Sequence, residues 1–269
     1  MLRNKGETMK IGAMQGILGT GDDLLAIERS AYWGFDAIEL ITKSGQNGEP
    51  LAWTNDQKKA IKNALEENGV MLPSICLGSF NQCGLVDYGS VGKDKIISGF
   101  KDIIKCSPEL GIGVILVPFF GNNRIKNEDD QIRAIEGIKE VIKLAEKCKV
   151  VLALEMTASA EMMLNMVEQI DSQCAGIYSD VGNMTGDGFD NVEAISELGG
   201  FISAVHIKDR FINGKGTPLG EGDVDFDFVR DALEEIGYDQ VLILETPSGQ
   251  DPEVEAGKNL AFVKKIWGI

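Results

Sequence analysis

The sequence predicts an α/β protein that folds as a single (β/α)8 TIM barrel. Short apolar runs alternate with longer amphipathic stretches from one end of the chain to the other, and eight such pairs can be counted. The length of 269 residues is close to the roughly 250 residues of a typical barrel. No Pro/Ser-rich linker or shift in composition divides the chain. We therefore expect residues 1–269 to form one barrel domain, with residues 1–9 as a flexible N-terminal extension.

The eight predicted strands are runs of mostly apolar residues, as is typical of strands buried on both faces of a parallel sheet. They begin near Lys10, Ala37, Leu72, Val114, Val150, Gly176, Ile202 and Gln240. Helical periodicity follows, most clearly over residues 55–68, 129–147 and 225–236, and glycines such as Gly34 and Gly69 close several helices. An open doubly wound sheet is the structural alternative. It is disfavoured because no G-x-G-x-x-G motif follows the first strand.

Composition limits the classes of partner. A formal charge of −16 and a pI near 4.5 disfavour nucleic acid and anionic membranes, since no basic patch offsets the repulsion. No run approaches the roughly 18 apolar residues of a membrane helix, and the first residues do not resemble a signal peptide. The five cysteines are scattered without a C-x-x-C pair, which is typical of reduced thiols. We expect a cytoplasmic protein with a small-molecule partner, and a homo-oligomer is compatible with the sequence.

Four consecutive predicted strands carry a polar side chain at or near their carboxyl ends. Glu155 closes the fifth strand, Asp180 the sixth and Glu245 the eighth, and His206, the only histidine, lies near the end of the seventh. The period-two alternation of a strand allows all four side chains to point into one barrel mouth, where barrel enzymes have their active sites. A single such acid usually faces solvent or caps a helix, and a lone buried histidine is often an ordinary core residue.

Three carboxylates in one cluster repel each other unless a cation compensates their charge. Together with one imidazole, they form a suitable protein shell for one divalent metal ion, with two positions left for substrate or water. So many oxygen ligands favour Mn²⁺, and Co²⁺, Mg²⁺ and Zn²⁺ are the alternatives.

Five motifs resemble those of a known group of barrel enzymes. They are A-L-E ending at Glu155, Y-S-D-V-G-N from residue 178, A-V-H-I-K-D from residue 204, P-L-G-E-G-D-V-D-F from residue 218, and L-E-T at Glu245. Over essentially the whole chain, the sequence resembles the sugar isomerases and epimerases of the xylose isomerase-like barrel superfamily. It is most similar to the branch with L-ribulose/L-xylulose 5-phosphate 3-epimerases and ketose 3-epimerases.

The resemblance implies a site and a reaction. By motif match, Glu155, Asp180, His206 and Glu245 bind one divalent metal, and the two glutamates are also the catalytic acid/base pair. Inversion of a carbon beside a carbonyl needs a proton removed from one face and another returned to the opposite face, while a metal stabilises the enediolate. We therefore expect a metal-dependent epimerase or isomerase of a small ketose or ketose phosphate.

Three further residues are candidates for binding substrate hydroxyls. Many relatives have a second histidine where this chain has Asn183, and an amide can bond a hydroxyl but cannot carry a proton at neutral pH. Glu39 has inward parity at the end of the second strand. Glu161 matches a position that contacts the end hydroxyl of the substrate in some ketose epimerases, and an acid at a helix N-terminus is the alternative.

Basic residues near the predicted mouth are candidates for an anionic substrate group. Lys208, Arg210 and Lys215 follow the histidine strand together with several glycines, and Arg124 follows the fourth strand. Solvation of surface charges is the alternative explanation. These residues predict a sugar phosphate as one possible substrate class.

Two other functional classes stay open at the level of sequence. An endonuclease IV-like phosphodiesterase shares the barrel, but such sites hold several zinc ions with many histidines, and this chain has one. A sugar-binding relative without turnover could keep all four metal ligands. The sequence does not name the sugar, decide its phosphorylation, or separate C3 epimerisation from aldose–ketose isomerisation.

Overall fold

The protein is represented by a computed structural model that describes residues 9–269. Within those residues, eight parallel strands close into a barrel in which the first strand pairs with both the second and the last. The strands are β1 (Ile11–Met14), β2 (Ala37–Ile41), β3 (Met71–Cys76), β4 (Val114–Pro118), β5 (Val151–Glu155), β6 (Ala175–Asp180), β7 (Ile202–Ile207) and β8 (Leu242–Leu244). The predicted (β/α)8 barrel is confirmed. Of the extension predicted over residues 1–9, only Met9 lies within the described residues, and it is buried in the core.

Helices follow the strands. They are α1 (Asp23–Trp33), α2 (Asn55–Asn68), α3 (Lys93–Cys106), α4 (Glu128–Cys148), α5 (Ala160–Ile170), α6 (Val181–Gly186), α7 (Asn191–Leu198), α8 (Phe226–Glu235) and α9 (Pro252–Trp267). Short 3-10 turns lie at Gln15–Leu18, Gly78–Asn81, Ser107–Leu110, Gly121–Asn123 and Gly199–Phe201. Among the described residues, no helix combines the length and the apolar character needed to cross a membrane.

Local sequence determines where several helices begin and end. The carboxylate of Asp22 accepts hydrogen bonds from two backbone N–H groups in the first turn of α1. Thr54 and Gln57 form a reciprocal capping box at the start of α2. At the other ends of these helices, Gly34 (φ 81°) and Gly69 (φ 66°) adopt the left-handed conformation that favours glycine. The predicted glycine stops are thus present.

The barrel interior is small and becomes polar towards the carboxyl ends of the strands. Its apolar part consists of Cys76, Leu116, Ala153, Tyr178 and Ala204, which are all buried. Two residues further along β5, β6 and β7, the side chains with the same inward parity are Glu155, Asp180 and His206, respectively. The alternation of the strands therefore carries ionisable groups into the lumen directly above this small apolar core.

Two short antiparallel pairs extend the chain beyond the barrel. Lys43–Ser44 pairs with Pro50–Leu51 after β2, and Asp209–Arg210 pairs with Gly216–Thr217 after β7. Both follow the carboxyl ends of their strands. The second pair begins three residues after His206, so the conformation of this pair influences which side chains lie near the histidine.

Candidate active site

The four polar residues predicted to share a site are brought together at the carboxyl end of the barrel. One ligand atom from each of Glu155, Asp180, His206 and Glu245 lies within 4.8 Å of the others. Asp180 and His206 are direct partners in the β6–β7 register, and Glu245 directly follows β8. The first three side chains are almost fully buried, whereas that of Glu245 is 27% exposed. The cluster is therefore accessible from the side of Glu245.

One nitrogen of His206 has no hydrogen-bond partner among the described residues. Nδ1 lies 3.1 Å from Oε2 of Glu245, 3.7 Å from Oε1 of Glu155 and 4.0 Å from Oδ2 of Asp180, and makes no hydrogen bond to them. Ligands at about 2.1 Å from one ion lie about 3 Å apart when adjacent and about 4 Å apart when opposite. An unbonded buried imidazole nitrogen that faces three carboxylate oxygens at these spacings fits a divalent cation.

The other nitrogen of His206 contacts a buried acid. Nε2 lies 2.9 Å from Oε1 of Glu39, whose side chain is fully buried. The second oxygen of Glu39 accepts hydrogen bonds from the hydroxyls of Tyr178 (2.8 Å) and Ser74 (2.6 Å). Glu39 is the third residue of β2 and not the last, so it lies deeper than the predicted strand end. Its predicted contact with substrate stays a prediction, and this geometry favours support of His206 instead.

Lys208 points into the acidic cluster. Its Nζ lies 2.9 Å from Oε2 of Glu245 and 3.2 Å from Oδ2 of Asp180. The sequence suggested a contact with an anionic substrate group, but in this structure the ammonium already has two carboxylate partners. Counting Glu39 and Glu155 as well, four carboxylates surround one ammonium and one imidazole, and this excess of negative charge is a further reason to expect a cation.

Burial and charge shift the pKa values of the cluster in opposite directions. Burial raises the pKa of Glu155 to about 7, against the opposing influence of His206. Burial disfavours ionisation of Glu245 too, but His206 and Lys208 lower its pKa below the ordinary value. Burial alone would lower the pKa of His206, yet the charges of Glu39 and Glu245 raise it well above its usual range. Without a metal, the cluster therefore holds protons at neutral pH.

A second polar group lies at the mouth. Nη1 of Arg210 donates to Oδ1 of Asn183 at 3.2 Å and lies 3.8 Å from the carboxylate of Asp187. Nη2 of Arg124 is 3.4 Å from the same carboxylate, which also accepts a 2.7 Å hydrogen bond from Thr157. Two predicted anion-binding residues thus share one acid, Asp187, which directly follows α6. Neither Asp187 nor Thr157 was identified from the sequence, because no motif or periodicity marks these loop positions.

Two other predicted residues have simpler surroundings. Glu161 is exposed in the first turn of α5, as the helix N-terminal alternative requires. Lys215 is also exposed, in the loop after β7. The structure does not bring either residue into the buried cluster.

Asp209 organises the loop that carries Arg210. Its buried carboxylate accepts hydrogen bonds from the backbone N–H groups of Gly220 (2.8 Å), Gly222 (2.9 Å) and Val224 (3.2 Å). A Cβ atom on Gly222 would lie 2.2 Å from Oδ1 of Asp209, so only glycine allows this close approach. Asp209 closes the A-V-H-I-K-D motif and the glycines belong to the next motif, so this hydrogen bonding links the two.

Fold and site together define a (β/α)8 protein with an ionisable cluster where barrel enzymes have their active sites. A profile of the xylose isomerase-like TIM barrel family matches residues 27–266. The chain therefore belongs to the xylose isomerase-like TIM barrel family, and the resemblance inferred from the motifs is confirmed.

Individual relatives agree with this assignment. L-ribulose-5-phosphate 3-epimerase UlaE of Escherichia coli K12 is 28% identical over 243 residues, which cover 86% of this chain and 85% of the relative. The structure of D-psicose 3-epimerase from Clostridium cellulolyticum H10 with D-tagatose superposes with a TM-score of 0.78, at 20% identity and with 96% and 99% of the two chains covered. The structure of an L-ribulose 3-epimerase gives a TM-score of 0.75 at 20% identity, covering 97% and 95%. The structural matches show the common fold.

Divalent metal binding should release protons. Glu155, with a pKa of about 7, and His206, with a raised pKa, must lose any bound protons to become ligands. Affinity for Mn²⁺ should therefore rise as the pH increases through about 7 and fall below it. Calorimetric titrations at pH 7 in buffers of different ionisation enthalpy measure the protons released, and an enthalpy that is equal in all buffers would contradict this prediction.

Asp209→Asn should destabilise the loop after β7. The substitution replaces one accepting oxygen by an NH₂ group that opposes the backbone donors. Loss of hydrogen bonds to a charged acceptor costs roughly 1.5–3 kcal/mol in free energy of unfolding. Urea unfolding measures the change, with Glu221→Gln on the exposed side of the same loop as the control. Equal stability of the two variants would show that the Asp209 hydrogen bonds contribute little.

Proposed function

We propose that this protein is a divalent-metal-dependent 3-epimerase of a small ketose, with a ketose phosphate as the favoured substrate. The observation that carries the proposal is the unbonded Nδ1 of His206, which faces Glu155, Asp180 and Glu245 within one buried cluster. The names of the relatives support the choice of reaction, because UlaE, D-psicose 3-epimerase and L-ribulose 3-epimerase all act at the third carbon.

The proposed metal ligands are Glu155, Asp180, His206 and Glu245, with Mn²⁺ as the favoured ion because three of the four ligands are carboxylates. When bound, the ion would supply Lewis-acid polarisation of the substrate carbonyl. The remaining chemistry depends on the side chains of this chain.

Glu155 and Glu245 are the proposed acid/base pair. They approach Nδ1 of His206 from different strands, with β6 and β7 between them. A sugar held between two carboxylates can lose the C3 proton to one of them and receive a proton on the opposite face from the other, which inverts the carbon. The configuration of the substrate decides which glutamate removes the proton. Asp180 takes no part in proton transfer in this scheme.

A line of polar contacts leads from the cluster to the surface. Nζ of Lys208 contacts Glu245 and lies 3.5 Å from Oδ1 of Asn183, and Arg210 donates to the same oxygen. Arg210 in turn lies beside Asp187. We propose that the carbonyl end of the substrate lies at the buried end of this line, with its hydroxyls near Asn183. The phosphate would then meet Arg210 and Arg124, whose guanidinium groups suit phosphate geometry.

The alternative functions differ in measurable ways. A phosphodiesterase of the endonuclease IV type would hold several metal ions, whereas a single histidine in the sequence and one candidate metal cluster among the described residues favour one ion per chain. A sugar-binding relative would bind ketoses without exchanging the C3 proton with solvent. The cytoplasmic location, the lack of a nucleic-acid partner, the oligomeric state and the assignment of the whole chain to one domain stay predictions.

Glu155→Gln and Glu245→Gln should each lower turnover by at least about 10²-fold, even at metal concentrations that restore occupancy, because an amide cannot transfer the proton. The reaction is measured as deuterium incorporation at C3 in D₂O, read by NMR after removal of the metal. The substrates tested are pentuloses, hexuloses and their phosphates. Glu168→Gln on the exposed face of α5 is the matched control. Near-normal turnover by a metal-loaded variant would remove that glutamate from the mechanism.

Arg210→Ala should raise KM for a phosphorylated ketose about ten- to a hundredfold, since a charge-assisted contact contributes roughly 1.5–3 kcal/mol. KM for the unphosphorylated sugar should change little. Arg133→Ala on α4 controls for the loss of an arginine outside the mouth. If KM rises equally for both substrates, Arg210 supports the loop or binds a hydroxyl instead. The phosphate contact must then be sought at Arg124 or abandoned.

A further inference from the structure

We infer that Glu39 is a positioning residue for the metal site, acting through His206. The inference rests on the proposed function, since it concerns the nitrogen that the metal would occupy. Glu39 belongs to β2, whereas the four proposed ligands lie on or directly after β5 to β8, and β1 separates β2 from β8 in the closed barrel. None of the five motifs that carry the family resemblance includes Glu39. Its carboxylate lies under the imidazole, with Oε1 at 2.9 Å from Nε2 of His206.

The two oxygens of Glu39 have different partners. Oε2 accepts hydrogen bonds from the hydroxyls of Tyr178 and Ser74, and Oε1 lies against His206. Burial of an acid in the lumen is costly unless its oxygens are hydrogen-bonded, and these three contacts satisfy that requirement. The two hydroxyls hold the carboxylate in one orientation, so Oε1 is directed at the imidazole.

This arrangement selects one tautomer of the imidazole. A neutral imidazole has one N–H group, and a carboxylate can only accept a hydrogen bond. Once the imidazole is neutral, as a metal ligand must be, the contact with Glu39 keeps the remaining proton on Nε2 and leaves the lone pair of Nδ1 directed at the three acids. Without Glu39, Nε2 would lose its carboxylate acceptor while Nδ1 would still lie 3.1 Å from an oxygen of Glu245, so the preference for a proton on Nε2 would be lost.

Tyr178 restricts the ring in a second way. Its aromatic ring lies 4.3 Å from the imidazole between centroids, at an angle of 52°. The same residue thus packs against His206 and bonds Glu39, so rotation of the imidazole would disturb both contacts. Metal-ligating histidines commonly have such a carboxylate behind them, and its loss typically weakens metal affinity about 10- to 100-fold.

The single histidine allows a direct test. Full-length protein labelled with ¹⁵N-histidine should give one imidazole spin system, and Zn²⁺ can serve as a diamagnetic probe. In the Zn²⁺-loaded protein we expect a proton on Nε2, slow to exchange with solvent, and none on Nδ1. A proton on Nδ1 with Nε2 bare would overturn the inference. If Zn²⁺ leaves the histidine signals unchanged, the metal site of the proposed function fails instead.

Variants separate positioning from general stability. Glu39→Leu should weaken Mn²⁺ binding about 10- to 100-fold by calorimetry and, in the Zn²⁺-loaded variant, speed the exchange of the Nε2 proton with solvent. Ser74→Ala, which removes one hydroxyl from Glu39 but keeps the acceptor for His206, should retain the Nε2 proton and nearly wild-type affinity. Glu39→Leu with unchanged affinity and unchanged exchange of the Nε2 proton would refute the role. Should that variant not fold, the solvent exchange rate of the wild-type Nε2 proton and the response of Ser74→Ala still decide.

Discussion

An excess of negative charge in the upper lumen of the barrel governs the rest of the site. Strand parity carries Glu39, Glu155, Asp180 and Glu245 inward, and within residues 9–269 the basic groups that contact them are the imidazole of His206 and the ammonium of Lys208. Charges removed from water need partners, and a metal-free cluster meets that need partly by holding protons. A divalent cation satisfies the same requirement more fully. The chemistry that the fold supports follows from this imbalance.

The imidazole has a different neighbour on each of its two edges. On the lower edge, Glu39 and its two hydroxyl partners, Tyr178 and Ser74, are all buried. On the upper edge, Glu155 and Asp180 are almost fully buried and Glu245 is the accessible acid. A rigid lower layer and an open upper layer meet the need of catalysis for groups that are preorganised but reachable. His206 connects the two layers.

The mouth depends on a loop that the barrel itself does not determine. Asp209 gathers the backbone N–H groups of the glycine-rich segment, and this brings Arg210 to Asn183 and Asp187. A loop held by one buried carboxylate can vary in length and sequence without disturbing the strands below. In the proposed epimerase, selectivity among sugars would therefore be separable from the proton chemistry, as is common where loops carry specificity on a fixed scaffold.

The sequence by itself determined the barrel and the four converging residues, because both follow from short-range patterns. Alternation within a strand sets which side chains face inward, and the order of strands along the chain sets which ends are adjacent. The depth of Glu39, the pairing of Lys208 with Asp180 and Glu245, and the joining of Arg124 to Arg210 through Asp187 were decided only by the tertiary structure. These contacts join residues distant in the chain, and they depend on strand register and loop path, which no local periodicity records.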